Sequence, residues 1–571
     1  MSADRRQRPG PGSAVVAGGP DGSRADATVR NAMGAGLSRR SVFGAAAGLG
    51  LAAALAGCGP DGGSGKGSGK PLVVHVNDTG SWQRNFNPYA VTQNVGTVGL
   101  FYEPLLFFNK LKPNDIQPWL ATKYEWSDGG KTLTVTLRDG VTWSDGKPLT
   151  VDDVVFTYQS MLDDPSLNKG GVELSGVKAG GKDTVVFTFP STSYTKLWNL
   201  AGQVGIVPKH LLAGKKLGTF TNPNPVGTGP YTLSSFSSQV FQVKANPKYW
   251  KGKAKVPVVK FPAYTASAVQ TGLQTGEIDW ASAFVPDLKK IYERNDPAHN
   301  KHFFPSEGLN ALMANTAKAP FDKLEVRQAV SLAIDRDRLV KNAERGYVGA
   351  AHPSGLPMPA NADWVPAEYK DATFTVNQAK AKELLAKAGY GSKKLAFELL
   401  VPSPYTDFVN AAQLMREDLA KVGIAMTVRG VAIQDWVAKV GKGDFDITLR
   451  GAVAGPTPFY LFRQMLSSKL TKPVGQVATG NYGRWKDAET DKLLAAYEAT
   501  DDVAKQKAAV QGLAKIVIEQ VPVIPLFDSP SWSLYRTTKY TGWPSAEDPY
   551  AMPSPATAPD LAVVLLHLKP V

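Results

Sequence analysis

Residues able to do covalent chemistry are few in this sequence and stand apart from one another. Ser193 and Lys196 in "SYTK" have the Ser-x-x-Lys spacing of acyl enzymes that recognise penicillins. No Lys-Thr-Gly follows them, and the chain contains no Gly-x-Ser-x-Gly. Asp152 and Asp153 are adjacent acids, but they stand at a predicted helix start, where the helix dipole stabilises them. We therefore predict no catalytic residue, and a surface-anchored hydrolase or acyl enzyme is the less favoured alternative, as is a purely structural surface protein.

Metal ligands and redox pairs are also lacking in the sequence pattern. One cysteine excludes an internal disulfide and a Cys-x-x-Cys motif. The histidines are scattered, and none lies in a His-Glu-x-x-His motif. We predict no metal site and no cofactor. The six histidines are His75, His210, His299, His302, His352 and His567.

The single cysteine, Cys58, has a specific sequence context. It follows "LSRRSVFGAAAGLGLAAALAG", in which an arginine pair precedes an apolar run too short for a stable membrane span of about 20 residues. This order is typical of an export signal. Arg39 and Arg40 resemble a twin-arginine signal, with Val42 where phenylalanine is usual. "LAGC" resembles the lipobox of bacterial lipoproteins, so Cys58 is the predicted lipidation site and the mature N-terminus.

The segment after Cys58 and the overall charge are consistent with this interpretation. "GPDGGSGKGSGK" predicts a flexible tether that lets a folded body move away from a membrane. The chain carries 64 basic and 50 acidic residues, a net charge of +14. An exported protein does not meet nucleic acid, so we do not expect nucleic acid as a partner. We interpret the net positive charge as belonging to a solvated surface near an anionic membrane. We expect a monomer.

The body of the chain mixes both kinds of secondary structure. "KTLTVTLRDGVTW" alternates from Thr132 to Leu137 and predicts a hairpin that turns at 139–140. Thr150 and Asp153 form a capping box at the start of an amphipathic helix. Asp322 is the predicted cap of a later helix. Gly389 and Gly423 are predicted to end helices, the second directly before a strand. The later half alternates helices and strands, which indicates α/β sheets covered on both faces.

Six segments relate the sequence to a known family. In chain order they read "YEPLLFFN", "PWLATKYEWSDGGKTLTVTLRDGVTWSDGKPLTVDDVVFTYQ", "NPVGTGPYTLSSF", "ANPKYWKGKAKVPVV", "FDKLEVRQAVSLAIDRDRLV" and "VPVIPLF". Their joint order resembles that of the solute-binding proteins of peptide-type ATP-binding-cassette (ABC) importers, the oligopeptide- and dipeptide-binding family 5. The resemblance runs from about Leu72 to the C-terminus.

The resemblance implies an α/β, two-lobed periplasmic-binding-protein-like fold of type II, with an extra sub-domain in the first lobe. The ligand would lie between the lobes, which close around it as rigid bodies and signal to the permease subunits of the importer. The predicted organisation is a signal peptide (1–57), a lipidated tether (58–71), lobe I (72–306 and 533–571, with the sub-domain at about 96–225) and lobe II (307–532).

The ligand class is the open question at this level. Peptide binders of the family use a buried aspartate to hold the α-ammonium of the peptide, because a buried cation without a partner costs several kcal/mol. The matching segment here is "GAVAGPTPFY", with Ala452 near the usual tryptophan and Gly455 near the aspartate. "GPTPFY" instead resembles the oligosaccharide-binding branch. An oligosaccharide is the favoured solute, an oligopeptide is the alternative, and Glu307 could then supply the missing carboxylate.

Candidate ligand contacts follow from the same comparison. They come from the loop after the first strand, from the end of "TGEIDW" in lobe I, from the two crossings between lobes and from lobe II. Aromatic rings suit the flat faces of sugars, although any single tryptophan can equally belong to a core. Arg450 can equally form a structural ion pair. The predicted contacts are Trp82, Phe86, Asn87, Trp280, Gly308, Asn310, Trp436, Arg450, Phe459, Tyr460 and Trp532.

Overall fold

The computed structural model describes residues 70–90, 92–168 and 171–571. The predicted export signal, the lipidation site Cys58 and nearly all of the tether lie outside these residues. Among the helices described, none combines the length and apolar character that a membrane span needs.

The strands of the described chain are mostly short and are shared among several sheets. In chain order they are β1 (Leu72–His75), β2 (Leu106–Asn109), β3 (Asp115–Pro118), β4 (Ala121–Ser127), β5 (Thr132–Leu137), β6 (Gly176–Ala179), β7 (Thr184–Thr188), β8 (Tyr231–Phe236), β9 (Val240–Ala245), β10 (Val258–Pro262), β11 (Trp280–Ala281), β12 (Asn300–His302), β13 (Ser306–Ala314), β14 (Leu395–Pro402), β15 (Ile424–Val431), β16 (Ile447–Val453), β17 (Ile524–Pro530), β18 (Leu534–Arg536), β19 (Tyr540–Thr541) and β20 (Lys569–Pro570).

The α-helices are concentrated in the later half, as the sequence pattern indicates. They are α1 (Val151–Asp163), α2 (Lys209–Leu212), α3 (Ala266–Thr275), α4 (Leu288–Ile291), α5 (Leu324–Ala333), α6 (Arg336–Asn342), α7 (Gln378–Leu385), α8 (Thr406–Ala420), α9 (Ile433–Lys442), α10 (Pro458–Leu466), α11 (Ala488–Glu498), α12 (Val503–Gln520) and α13 (Asp560–His567).

Two large sheets define two lobes. The first lobe contains a seven-stranded sheet in the order β12-β18-β11-β1-β10-β9-β8, and the second a five-stranded sheet in the order β15-β14-β16-β13-β17. The chain passes from the first sheet to the second between β12 and β13, and it returns between β17 and β18. Because β13 and β17 pair antiparallel, the two crossings run side by side. The division of the chain into separate domains stays a prediction.

A four-stranded sheet, β4-β5-β7-β6, lies in the region predicted as the extra sub-domain. Its inward residues, such as Leu133 and Phe187, belong to one continuous core with Val243 and Phe261 of the seven-stranded sheet. The predicted hairpin at 132–140 is wrong in one respect. Strand β5 pairs with β4 before it and β7 after it, and the turn at 139–140 leads instead into a loop closed by a bridge between Thr142 and Pro148.

The five-stranded sheet is covered on both faces, which the alternation of β13 explains. Leu312 and Ala314 point into a core shared with α5 and α8, whereas Leu309, Ala311 and Met313 point into a core shared with α10 and α12. Successive residues of a strand face opposite sides, so a nearly continuous apolar run marks a strand buried on both faces.

The local predictions have a mixed outcome. The capping box is confirmed, because the Asp153 carboxylate accepts from the backbone N–H of Thr150 at 2.9 Å. Gly389 and Gly423 have φ of +91° and +86°, as helix-ending glycines require. The cap at Asp322 is wrong: α5 begins at Leu324 with Lys323 as the preceding residue, and Asp322 belongs to the turn before the helix, where its N–H is bonded to the carbonyl of Lys318.

Candidate functional site

A small cavity lies between the two lobes beside the first crossing. Lys110, Leu111, Pro113 and Met552 line it from the first lobe. The crossing contributes Ser306 and Glu307, and the second lobe contributes the remaining residues, which are Leu356, Pro357, Ala360, Asn361, Ala454, Gly455, Pro456, Thr457, Pro458 and Leu461.

The size of the cavity constrains what it can hold. The space open to the centre of a water-sized sphere is about 40 Å³, whereas a single water needs about 10–15 Å³ on that measure. A peptide or a sugar therefore does not fit unless the lobes first move apart. This is the geometry expected of two lobes that enclose a ligand by closing over it.

The segment that faces the first lobe across this cavity, called loop 454–458, comprises the connection from β16 to α10 and the first residue of that helix. It carries no carboxylate, and the chain has no acidic residue between Asp446 and Leu466. Gly455 has no room for a side chain, because a Cβ there would lie 2.6 Å from the Tyr460 ring. An aspartate at this position would displace Tyr460.

Glu307 is the acidic residue that lines the cavity. Burial raises its pKa, and the neighbouring Lys110 ammonium opposes that shift while the Asp560 carboxyl adds to it. A cation placed next to a carboxyl favours its charged form. Glu307 can thus act as a counter-charge for a ligand cation, as the peptide alternative requires.

Tyr460 connects the lobes. Its hydroxyl donates to the backbone carbonyl of Thr195 in the first lobe at 2.7 Å. Its ring meets Trp198 edge to face, with centroids 5.0 Å apart. On its other side Tyr460 contacts Phe459, which stacks on Tyr497. The aromatic residues of "GPTPFY" therefore hold the lobes together in this arrangement.

The predicted contacts from the first lobe are engaged by protein groups. Trp82 donates to the carbonyl of Phe261, and Phe86 packs against Phe101 and Phe241. The Asn87 amide donates to the carbonyls of two residues in the 217–220 segment. None of the three lines the inter-lobe cavity, so their contact with a ligand stays a prediction.

Trp280 is also held inside the first lobe. It is fully buried, donates to the carbonyl of Pro553 at 2.9 Å and meets Trp543 edge to face. Trp532, at the return crossing, is half-buried. Its ring contacts those of Phe284 from the first lobe and Tyr347 from the second. Trp532 therefore lies where residues of both lobes meet.

Gly308 and Asn310, on the strand that follows the first crossing, both contact the backbone of neighbouring strands. A Cβ on Gly308 would lie 2.1 Å from the carbonyl oxygen of Ala452, so glycine alone permits this close pairing of β13 with β16. Asn310 is mostly buried, and its amide makes a long hydrogen bond of 3.4 Å to the carbonyl of Asp528.

Arg450 and Trp436 come together in the second lobe. The guanidinium carbon lies 5.0 Å from the centroid of the Trp436 ring and 4.2 Å from that of Tyr482. No carboxylate lies within ion-pair distance of Arg450 among the described residues, so the structural ion pair considered from the sequence is absent there.

Several site residues were not predicted from the sequence. Lys110, Asn361 and Pro357 line the cavity, and Thr195 and Trp198 receive Tyr460. Only Lys110 had a local signal, since it directly follows the family-like segment "YEPLLFFN". The others lie in loops whose meeting depends on how the lobes face each other.

The Ser-x-x-Lys pair does not form a catalytic arrangement. Ser193 Oγ donates to the carbonyl of Ser191 at 2.9 Å rather than to Lys196. Burial and the nearby Arg463 lower the pKa of Lys196, while Glu173 and Glu498 oppose this. Within the described residues, no three His, Cys, Asp or Glu side chains are grouped so as to hold a metal ion.

Comparison with known proteins agrees with this geometry. Residues 115–472 match the model of the bacterial extracellular solute-binding proteins, family 5 (middle region). A dipeptide-binding protein of Pseudomonas aeruginosa is 28% identical over 445 residues, 72% of this chain and 81% of the relative. The oligopeptide-binding protein AppA of Bacillus subtilis is 26% identical over 438 residues, 72% of this chain and 77% of the relative.

Solved structures share the architecture. A periplasmic oligopeptide-binding protein of an ABC transporter from Thermotoga maritima superposes with a TM-score of 0.79 at 26% identity, covering 88% of this chain and 99% of that one. The same protein with mannohexaose bound gives a TM-score of 0.72 at 27% identity, with the same coverage.

The fold and the inter-lobe site define a two-lobed solute-binding protein of type II. The chain belongs to family 5 of the bacterial extracellular solute-binding proteins, which serve ABC importers. The proteins of this family bind and deliver solutes and are not enzymes.

Proposed function

We propose that this chain is a lipid-anchored binding protein that delivers an oligosaccharide to the permease subunits of an ABC importer. Export by the twin-arginine route and acylation of Cys58 would hold it at the outer face of the membrane. The solute is enclosed between the lobes beside loop 454–458. Closure of the lobes then presents the loaded protein to the permease.

The absence of a carboxylate from loop 454–458 carries the preference for a sugar. A neutral sugar needs ring faces and hydrogen-bonding groups rather than a counter-charge. The lining of the cavity provides the amide of Asn361 and the hydroxyl of Thr457, which also pairs with the Tyr497 hydroxyl. The mannohexaose complex of the Thermotoga maritima protein adds support from a structural neighbour.

An oligopeptide is the second candidate, and Glu307 favours it. This carboxyl lies in the cavity, where it can reach a ligand ammonium. Relatives named as dipeptide- and oligopeptide-binding proteins also favour it. The two candidates differ in one respect that can be measured: only a peptide site loses its ligand when the ligand amine is blocked.

Calorimetry separates the two. The protein is titrated with cello-, xylo- and manno-oligosaccharides and with di- to pentapeptides, each peptide with a free and an acetylated N-terminus. We expect heat from at least one sugar series and stabilisation of about 2.7 kcal/mol at a hundred times Kd, without conversion of the sugar. Peptide binding that vanishes on acetylation and in Glu307→Gln, with no heat from sugars, would reverse the choice.

A further inference from the structure

Lysines are concentrated at one edge of the seven-stranded sheet in the first lobe. The segment from Thr184 to Gly276 contains ten lysines and no aspartate or glutamate. Four of these lysines fall in the connection between β9 and β10, at 246–257, and a further lysine stands where the described chain begins. We call these five residues the basic edge. They are Lys70, Lys248, Lys251, Lys253 and Lys255.

Strand pairing brings the basic edge together. Strands β1 and β10 are parallel neighbours, with Leu72 opposite Val259. The connection 246–257 therefore ends at the same edge of the sheet from which β1 starts. Strand β9 pairs antiparallel with β10, so it ends at this edge as well. Because neighbouring strands are only about 4.8 Å apart, the lysines of the connection lie at the edge where the described chain begins.

The point where the tether leaves the body is fixed by hydrogen bonds. The Lys539 ammonium donates to the carbonyl of Pro71 at 3.2 Å, and the Tyr540 hydroxyl donates to the carbonyl of Lys70. Lys539 is itself held by the carboxylate of Asp279 at 2.7 Å. The tether therefore leaves the first lobe at the basic edge.

The ammonium groups of the basic edge have no acidic partner. All five lysines are exposed, and within the part of the chain that the structure describes no carboxylate lies at ion-pair distance from any of them. Lys251 lies over an aromatic ring instead, with its ammonium 3.7 Å from the centroid of Trp119. Other surface lysines are paired, as Lys123 is with Glu125. The basic edge is thus a cluster of uncompensated positive charge, which attracts an anionic surface.

Negative groups near the basic edge are fewer, and most are engaged. Asp279 is buried and paired with Lys539. Glu103, close to Lys251, is buried and accepts hydrogen bonds from three aromatic side chains. Glu277, just before β11, and the C-terminal carboxylate beside Lys539 remain. The five lysines therefore leave a surplus of positive charge.

The tether is short enough to keep this edge near the membrane. Eleven residues, 59–69, separate Cys58 from Lys70, and most are glycine or serine. A flexible chain of this length spans roughly 20 Å on average. Attraction to anionic lipid acts within a Debye length, about 8 Å at physiological salt. The basic edge is thus the part of the body that the tether brings into this range most often.

We propose that the basic edge binds the anionic phospholipid headgroups of the membrane that holds the lipid anchor. The inference rests on the proposed function, because the acylated Cys58 brings the edge and the membrane together. Each lysine near an anionic bilayer is attracted to it, and several lysines on one edge act together. The anchor limits the distance of the body from the membrane, and the basic edge adds a preferred orientation.

This orientation places the solute cavity on the side away from the bilayer. Strand β1 is parallel to β11, and both β11 and β12 are antiparallel to β18, so β12 runs in the direction of β1. The first crossing follows β12 and the return crossing precedes β18. Both crossings therefore lie at the opposite edge of the sheet from the basic edge, and the second lobe is attached there. The cavity between the lobes then stays accessible to solute.

Energy transfer from two labelled positions tests the orientation. Cys58 is the single cysteine, so once it is acylated an introduced cysteine takes the label alone. Pro247→Cys places a fluorophore at the basic edge, and Ser238→Cys places one in the turn between β8 and β9 at the opposite edge; both positions are exposed. The protein, purified from membranes in detergent, is reconstituted in phosphatidylcholine vesicles with or without phosphatidylglycerol, with an acceptor dye on the headgroups.

We expect transfer from position 247 to rise when phosphatidylglycerol is present, because the edge then lies on the headgroups. The rise should be lost in about 1 M salt, where the Debye length falls to about 3 Å. Transfer from position 238 should not rise. Equal rises at the two positions, or a rise at 247 that salt leaves unchanged, would overturn the proposal.

Two charge variants with the same net change sharpen the test. The edge variant combines Lys248→Gln, Lys251→Gln, Lys253→Gln and Lys255→Gln. The control variant combines the same change at four exposed lysines of the second lobe, Lys382→Gln, Lys393→Gln, Lys394→Gln and Lys472→Gln. We expect the edge variant to lose the rise at position 247 and the control variant to keep it. An equal loss in both variants would show that net charge rather than this edge decides.

Flotation separates failure of the anchor from failure of the surface. On neutral vesicles the acyl chains alone should retain the protein, so loss from these vesicles would count against the anchor in the proposed function. Flotation with anionic vesicles at low salt then tests the surface by itself. We expect the edge variant to partition roughly 10- to 100-fold more weakly than the control variant. Equal partitioning would overturn the basic edge as a lipid-binding surface.

Discussion

The hydroxyl of Tyr460 in the second lobe donates to the backbone carbonyl of Thr195 in the first lobe at 2.7 Å. Burial raises the pKa of Tyr460, so the hydroxyl remains a donor at all physiological pH values. This contact bridges the two lobes directly and exists only while they lie together. It therefore stabilises the closed arrangement relative to an open one.

Removing this hydroxyl should favour the open arrangement. Tyr460→Phe keeps the ring contact with Trp198 and loses one hydrogen bond, worth about 1 kcal/mol. We expect a larger radius of gyration in small-angle scattering without ligand and about fivefold weaker solute binding. Tyr497→Phe is the control, because its hydroxyl pairs with Thr457 inside one lobe. An equal expansion in both variants would contradict a role in closure.

Membrane attachment should depend on Cys58. Cys58→Ala removes the predicted acylation site, and stable anchoring of a protein without a membrane span needs acyl chains. We expect the variant in the soluble fraction of cells and the wild type in the membrane fraction, measured by fractionation and immunoblotting. Ser64→Ala in the tether should stay with the membrane. If Cys58→Ala remains there at the wild-type level, the lipobox assignment is wrong.

The stability of the protein should fall as the pH rises through the range in which Asp528 ionises. Burial raises its pKa to about 7, whereas an unfolded aspartate has a pKa of about 3.9. Between these values the folded protein holds a proton that the unfolded chain has released. The free energy of unfolding contributed by this group therefore decreases from about pH 4 to about pH 7.

Asp528→Asn removes this dependence. We expect the variant to exceed the wild type in free energy of unfolding by about 1–3 kcal/mol at pH 8 and not at pH 4, measured by denaturant unfolding. Asp528 lines a pocket of the second lobe together with Asp335, Arg336, Asp337 and His352. These other groups are present in both proteins, so the difference isolates Asp528. Glu368→Gln, at an exposed position, should show no such change. A constant difference across pH would contradict the assignment.

The buried Arg336 and the half-buried Arg450 should respond oppositely to the same substitution. Arg336→Met leaves several buried carbonyls without donors and should cost about 2–4 kcal/mol. Arg450→Met removes an unpaired cation and keeps an apolar stem between the rings. In the unliganded protein, this substitution should leave the free energy of unfolding unchanged or raise it by up to about 1 kcal/mol. Thermal unfolding of both variants checks this, and a large loss in Arg450→Met would assign Arg450 a structural role.

Much of the architecture could be predicted from local pattern. The capping box at Thr150 and Asp153 needs only residues three apart, and Gly389 and Gly423 adopt the positive φ that ends a helix. The ordered segments from "YEPLLFFN" to "VPVIPLF" identified the family, which matches residues 115–472. These features are determined by neighbours in the chain. The predicted cap at Asp322 missed by one position, since α5 begins after Lys323 and Asp322 belongs to the preceding turn.

The roles of the aromatic residues could not be predicted in this way. Trp82 and Trp280 look in sequence like Trp436, yet the first two donate to backbone carbonyls inside the first lobe, and the third lies against an unpaired arginine. A tryptophan suits a core and a sugar platform equally well, because both offer it an apolar face and one hydrogen-bond partner. Which environment surrounds it depends on contacts with residues far away in the chain.

The sequence by itself determined the family, the two-lobed α/β fold and the missing carboxylate in "GAVAGPTPFY". The tertiary structure alone decided that Glu307 shares a cavity with Lys110, that Tyr460 joins Thr195 across the lobes, and that Arg450 has no acceptor. Motifs and helix ends arise from interactions between residues a few positions apart. The site arises where segments far apart in the chain meet between two lobes, as Thr195 and Tyr460 do across 265 residues. Their chemistry is set by burial that no local pattern encodes.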